Sequence, residues 1–258
     1  MKIAILGSGS KGNSIYIESS NSKILVDAGF SGKIMKEKMD RIGENLDDIK
    51  ALLITHEHGD HIMGAGIISR RHKTPLYITR ESYLAGESKL GAIDEDLVNF
   101  IEKEFRIDDL HIHTIDVLHD AKRTVAYKII SDTGKKIGIA TDIGHADNLI
   151  KYYFNDLDVL IIESNYDYNM LMTCGYPADL KARIKSNRGH FSNEDAAKFI
   201  EEVYHEGLSK VYLVHLSKDS NTKDLAYSTV KNYLENKGIN IKIEVVPQET
   251  QSEIHHID

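Results

Sequence analysis

The chain has 258 residues, of which 41% are hydrophobic, a formal net charge of -8 and a single cysteine, Cys174. That length and apolar content can bury the core of one α/β domain, and a lone cysteine excludes an internal disulfide framework and suits a reducing cytoplasm. No run approaches the roughly 18 apolar residues of a membrane span, and MKIAILGSGS lacks the hydrophobic stretch of a signal peptide, so the sequence predicts a cytoplasmic protein with no membrane partner.

In chain order, the apolar alternation of KIAIL, SIYIE and KILVD predicts three short strands separated by Gly, Ser and Asn turns. Gly7, Gly9 and Gly12 match G-x-G-x-x-G, but the dinucleotide motif must open a helix. Here SIYIES follows, with β-branched and aromatic residues in strand alternation. The glycines therefore read as a tight turn, with Asn13 a candidate substrate contact. Helical patterning covers about 31 to 42, 61 to 72 and 80 to 89. Strands follow near 76 to 79, 111 to 117, 124 to 131 and 135 to 141.

Between these lies LLITHEHGDHIMG, which places His56, His58, Asp60 and His61 within six positions after an apolar strand. Imidazoles and carboxylates at this density are the ligands of zinc, manganese or iron, and a strand ending in a loop lets them converge from a short backbone path. The second half repeats the order of the first. A helix near 146 to 154, the strand DVLIIE, and helices near 167 to 173 and 177 to 186 lead to a helix opened by Ser192. There Asp195 three positions on makes a capping box, and the helix is predicted to reach about 206. Strand KVYLV, a helix of about 222 to 237 stopped by Gly238, and strand IKIEVV complete the pattern. The tail QSEIHHID reads as a mobile terminus, and His111 and His113, alternating with Ile112, as structural strand residues.

H-x-H-x-D-H resembles the signature of the metallo-β-lactamase-fold hydrolases, and the likeness runs along nearly the whole chain. LGSGSKGNSIYIE, ILVDAGFS, THEHGDH, HDA, TDIG, ESNYD, YPADLKARIKSNRGHFSNEDA and HLSKDSN are together similar to the WalJ/YycJ-type nuclease subfamily. The resemblance implies an αββα sandwich, two packed mixed sheets flanked by helices. It also implies two divalent metal ions, zinc or manganese with iron possible. His56, His58, His119 and Asp142 would hold one ion, and Asp60, His61, His215 and Asp142 the other. Such a pair lowers the pKa of a shared water and stabilises both attacking and leaving oxygens at phosphorus. The implied activity is a 5'-to-3' exonuclease on double-stranded DNA, with RNA a further candidate substrate; the oligomeric state stays open.

Beside Asp60, His190 is the second candidate catalytic residue: phosphodiesterases of this fold commonly supply a histidine there to contact the phosphate or protonate the leaving oxygen. Asp27, ending KILVD, is a candidate acceptor of a ligand histidine's N–H. The acidic net charge argues against a phosphate-rich partner, but basic residues cluster near the metal motifs: Lys181, Arg183, Lys185 and Arg188 before His190, Arg70 to Lys73, and Lys122 with Arg123. Of these, Arg183 and Arg188 are candidate substrate contacts, as is Ser217. A hydrolase of a small substrate, a cyclic phosphodiester, thioester or lactone, is the competing reading, since the same ions would serve it equally well. A binding protein with a structural metal is a third.

Overall fold

The computed structural model describes residues 1–248 and 250–257. Strands β1 (Lys2–Gly7), β2 (Ser14–Glu18) and β3 (Lys23–Val26) pair antiparallel in sequence. From β3 onward the pairing turns parallel through β4 (Ala51–Leu53), β5 (Leu76–Ile78) and β6 (Val98–Phe100). The crossovers carry helices α1 (Gly32–Arg41), α2 (Gly59–Ile62), α3 (Ala65–His72) and α4 (Arg80–Leu90).

The second sheet starts with β7 (Glu104–Ile107), β8 (Leu110–Val117), β9 (Thr124–Ser131) and β10 (Lys136–Ala140), again antiparallel. It then turns parallel through β11 (Val159–Glu163), β12 (Lys210–Val214) and β13 (Lys242–Val245). Its helices are α5 (Asn148–Phe154), α6 (Tyr168–Thr173), α7 (Ala178–Ile184), α8 (Asn193–Val203) and α9 (Lys223–Asn236). A last strand, β14 (His255–His256), adds antiparallel to β1. Among the described residues each sheet has seven strands, and both follow the same course of three antiparallel pairings and then three parallel ones.

This is the αββα sandwich the sequence predicted, and the burial explains its strand composition. Strands β1, β10, β11 and β12 are buried along nearly their whole length, because one face meets the other sheet and the opposite face meets helices. Ile5, Ile17, Val26, Tyr127, Ile139 and Ile161 belong to the layer between the sheets. Met35, Ile68 and Leu76 join helices to the first sheet, and Phe154, Phe199 and Val230 join helices to the second. Each such side chain contributes about 1.5–3 kcal/mol when fully buried, so these three layers rather than helix propensity hold the fold. Tyr127 also ties the layers together, donating its buried hydroxyl to the Ile54 carbonyl at 2.5 Å, just ahead of the histidine motif.

Five features differ from the sequence reading. The helix predicted over 61 to 72 is divided into α2 and α3, because Gly64 passes so close to the preceding loop that a Cβ there would sit 2.1 Å from the Phe30 carbonyl oxygen. The capping box at Ser192 and Asp195 is present, but α8 ends at Val203, where Tyr204 turns extended, rather than near 206. The helix near 177 to 186 stops at Ile184. The tail through Ile257 is not loose: the Ile5 N–H donates to the Ser252 hydroxyl, Ile257 is buried, and β14 covers the edge of β1. Strands β6 and β7 escaped the sequence reading, being short and only partly buried.

Candidate metal centre and active site

Six strands deliver the site. Asp27 follows β3, the H-x-H-x-D-H loop follows β4, His119 follows β8, Asp142 follows β10, Glu163 ends β11 and His215 follows β12. Within the second sheet β8, β10, β11 and β12 all run in one direction, so their carboxyl ends share one rim, where open α/β sheets bind their ligands. Two of the side chains sit on strained backbone: Asp27 has φ 61° and His215 φ 56°. Non-glycine residues hold such angles only where their surroundings impose them.

The structure brings all seven sequence-predicted metal ligands together. His56, His58 and His119 converge so that one ligand atom from each lies within 4.8 Å of the others, as do Asp60, His61 and His215. Asp142 stands between the groups. Its Oδ1 is 3.6 Å from Nε2 of His119, and its Oδ2 is 3.1 Å from Nε2 of His61.

Three of the imidazoles, those of His61, His119 and His215, are oriented by their other nitrogen. Nδ1 of His61 meets the Asp27 carboxylate at 2.8 Å, Nδ1 of His119 meets the Gly189 carbonyl at 3.0 Å, and Nδ1 of His215 meets Oε1 of Glu163 at 2.7 Å. In every case Nε2 is turned inward, the arrangement that outer partners impose on metal-binding histidines. Asp27 also accepts from the backbone and hydroxyl of Thr55, which locks the start of the loop. Gly29 allows the loop's approach: a Cβ there would lie 1.7 Å from the Asp60 carbonyl oxygen.

Orphaned atoms test whether this donor set fits a cation. Nε2 of His215, Oδ2 of Asp142 and Oδ1 of Asp120 are buried and lack a well-aligned hydrogen bond, the two carboxylate oxygens facing only the ligand nitrogens of His61 and His119 at 3.1 Å. Buried polar atoms are rarely left so, and three lone-pair carriers aimed at one space fit a positive ion. The electrostatics agree. Burial opposes protonation of His61, yet the carboxylates of Asp27 and Asp142 outweigh it and push the imidazole up to about 10. His215 is raised well above the ordinary range against the same burial, by Asp142, Asp60 and Glu163. Burial is opposed in Asp142 too, whose carboxyl His215 and His61 hold well below the usual range. The field around these carboxylates therefore favours positive charge. On the opposite side burial and neighbouring imidazoles lower His56 and His58, which favours the uncharged ring that binds a metal.

His190 lies at the mouth of the same cavity of about 290 Å³, which His58, Asp60, His119, Asp142 and His215 also line. Its Nδ1 is 2.7 Å from Oε1 of Glu163, so one buried carboxylate oxygen serves both His190 and His215. Burial opposes a charge on His190, but Glu163 raises it above the ordinary histidine value. Glu163 is a functional residue the sequence reading missed. Its signal was the one that marked Asp27, a carboxylate ending an apolar strand. Asp120 was missed as well: it sits 3.1 Å from Nε2 of His119 and binds Arg183.

The substrate-contact candidates divide. Arg183 and Ser217 line the cavity, joined by Lys218 and Tyr176. Asn13 does not line it; its amide lies 3.0 Å from the inward Nε2 of His61 and 3.3 Å from Oδ2 of Asp60, against the candidate ligand atoms, while its carbonyl oxygen accepts from Gly9 and closes the turn. Arg188 is exposed on a tight turn and does not line the cavity. Of the upstream basic clusters, three members have partners elsewhere: Arg70 donates to the Leu90 and Ala92 carbonyls, Lys73 binds Asp94, and Arg123 binds Asp116.

Residues 22–216 match the family described as the beta-lactamase superfamily domain, and the chain belongs to that superfamily. Within it, the chain is 34% identical over 243 residues to exodeoxyribonuclease YycJ of Bacillus anthracis, covering 93% of this chain and 92% of the relative. It is 36% identical over 247 residues to exodeoxyribonuclease WalJ of Streptococcus pneumoniae serotype 2, covering 94% and 91%. Among solved structures, the metallo-beta-lactamase fold protein YhfI from Bacillus subtilis superimposes with a TM-score of 0.73 at 16% identity, over 97% of this chain and 98% of that one. Human tRNase Z, short form, gives 0.66 at 14% identity over the full length of both. These two likenesses concern the fold.

Proposed function

We propose that this protein is a metal-dependent phosphodiesterase that acts as an exonuclease on DNA, as the names of its YycJ and WalJ relatives say of those proteins. The observation that carries the reading is the placement of Asp142, one oxygen toward His119 and the other toward His61, between two groups of three ligands. That arrangement suits two divalent ions sharing one carboxylate, with His56, His58 and His119 on one side and Asp60, His61 and His215 on the other. Two such ions would supply a nucleophile at neutral pH and would neutralise charge on the phosphate.

The chain's own residues supply the rest. His190, whose affinity for a proton Glu163 raises, would hold a non-bridging phosphate oxygen and then release its proton to the departing 3' or 5' oxygen. Glu163, with no exposure, fixes the ring orientation of both His190 and His215. Arg183 and Lys218 at the cavity mouth offer charge to the flanking backbone phosphates. Ser217 offers a hydroxyl there. Zinc and manganese both suit this mixture of imidazole and carboxylate. The absence, among the described residues, of a helix long and apolar enough to cross a membrane accords with work on DNA in the cytoplasm.

The test is digestion of 5'-phosphorylated, end-labelled linear duplex by chelator-treated protein resupplied with manganese or zinc. Progressive shortening that disappears in His58→Ala and weakens steeply with added salt supports the reading. Turnover of a cyclic phosphodiester, thioester or lactone with no shortening of DNA would replace it with a small-substrate hydrolase.

A further inference from the structure

Outside the site just described, one group of ligand-type side chains stands together. His111 and His113 lie two apart on β8, which puts both imidazoles on the same face of the strand. Ile112 between them points the other way and is buried in the layer between the sheets. Glu104 on β7 sits directly opposite His113 in the antiparallel pair. Its Oε2 lies 3.4 Å from Nε2 of His111 and 3.4 Å from Nδ1 of His113, and the two rings are 4.3 Å apart between centres. One ligand atom from each of the three falls within 4.8 Å of the others.

We propose that Glu104, His111 and His113 form a separate binding site for a borderline divalent cation such as zinc, which clips the edge strand β7 to β8. Two histidines at strand spacing and a carboxylate from the neighbouring strand provide an N, N, O set, the ligand types zinc takes with water in the remaining position. The scaffold is already in place, since β8 is paired along its length by β9 and over Leu110–His113 by β7. The ring of Tyr153 from α5 packs 5.5 Å from that of His113 and limits its rotation.

The cations nearest the site have other partners. Arg106, opposite His111, donates to Asp132 at 2.7 Å, and Lys128, opposite His113, donates to Asp156 at 2.5 Å. Among the described residues the ion-pair partners of Glu104 are these two imidazoles alone. The side chains of His111, His113 and Glu104 are 34%, 18% and 61% exposed, so an ion from solution reaches them without any opening of the fold. The consequence is structural. Strand β7 is the last strand of its sheet, only four residues long, and a metal bridge would anchor an edge that backbone pairing holds on one side only.

Equilibrium dialysis of the full chain against zinc, with bound metal counted by atomic emission, tests this. The double variant His111→Ala/His113→Ala should hold one zinc fewer per chain than the parent at the same free zinc. Glu104→Gln should weaken that one site by at least the roughly 10- to 100-fold that loss of a supporting partner costs a metal centre. Thermal melts of chelator-treated protein should coincide for parent and double variant and separate when zinc is restored, with the parent the more stable. Equal zinc content and equal zinc response would overturn the proposal. Should the double variant fail to fold, an unchanged zinc isotherm for Glu104→Gln overturns it alone.

Discussion

Oε1 of Glu163 lies 2.7 Å from Nδ1 of His190, and the carboxylate that makes this contact is completely buried. A buried carboxylate confronted by imidazoles keeps them charged, and it keeps His190 a proton donor at a pH where a free histidine has lost its proton. His190→Ala should therefore lower kcat on duplex DNA by roughly 10²- to 10⁴-fold, the range of a positioned acid or base, while the bound metal content stays at the parental value. Loss of metal together with activity would instead mark His190 as a ligand.

Glu163→Gln separates positioning from catalysis. The neutral amide can still accept a hydrogen bond but no longer raises His190, so the alkaline limb of the kcat profile should move to lower pH. A pH profile that keeps its shape while only its height changes would show that Glu163 acts through packing.

Asp142→Ala removes the carboxylate placed between His119 and His61. The expected result is loss of bound metal from both groups and of detectable DNA shortening, read by metal analysis and by the digestion assay. A variant that retains all its metal would rule out a bridging carboxylate.

His61 sets a stability window. Its imidazole is pushed up to about 10 in the fold, above the ordinary 6.5 of an unfolded chain. A raised value stabilises fully below about 6.5 and is lost as pH climbs through about 10. In chelator-treated protein the melting temperature should fall between pH 7 and 10 as Asp27 and Asp142 lose the cation beside them. Restoring zinc should flatten that dependence, because the ion then supplies the charge. Equal slopes with and without zinc would refute it.

Gly29→Ala should destabilise by at least the roughly 1–3 kcal/mol typical of overpacking, since the new Cβ would overlap backbone at Asp60 and no side chain can move aside. Urea unfolding measures it. Because Asp60 is displaced, metal affinity should drop with stability.

Much of the site was legible in the chain. His56, His58, Asp60 and His61 announce themselves by density, and His119, Asp142 and His215 each follow an apolar strand, a local pattern that survives folding unchanged. The strands and most helices were legible for the same reason: alternation of period two and capping pairs such as Ser192 with Asp195 depend on near neighbours. That Asn13 and Arg188 do not line the cavity was not legible, because sequence proximity to a motif says nothing of direction. Asn13 closes its own turn and sets its amide against Nε2 of His61, and Arg188 is exposed on a tight turn outside the cavity.

By itself, then, the sequence determined the ligand types, their place at strand ends and the sandwich that carries them, because burial periodicity and side-chain chemistry are written residue by residue. Tertiary structure alone decided which partners those ligands meet. Glu163 reaches His190 and His215 across 27 and 52 residues because parallel β10, β11 and β12 end on one rim. The break between α2 and α3, and the docking of the C-terminal strand on β1, were likewise decided by close packing between segments far apart in the chain. Contacts of that kind depend on the whole fold's geometry, which no local window of sequence contains.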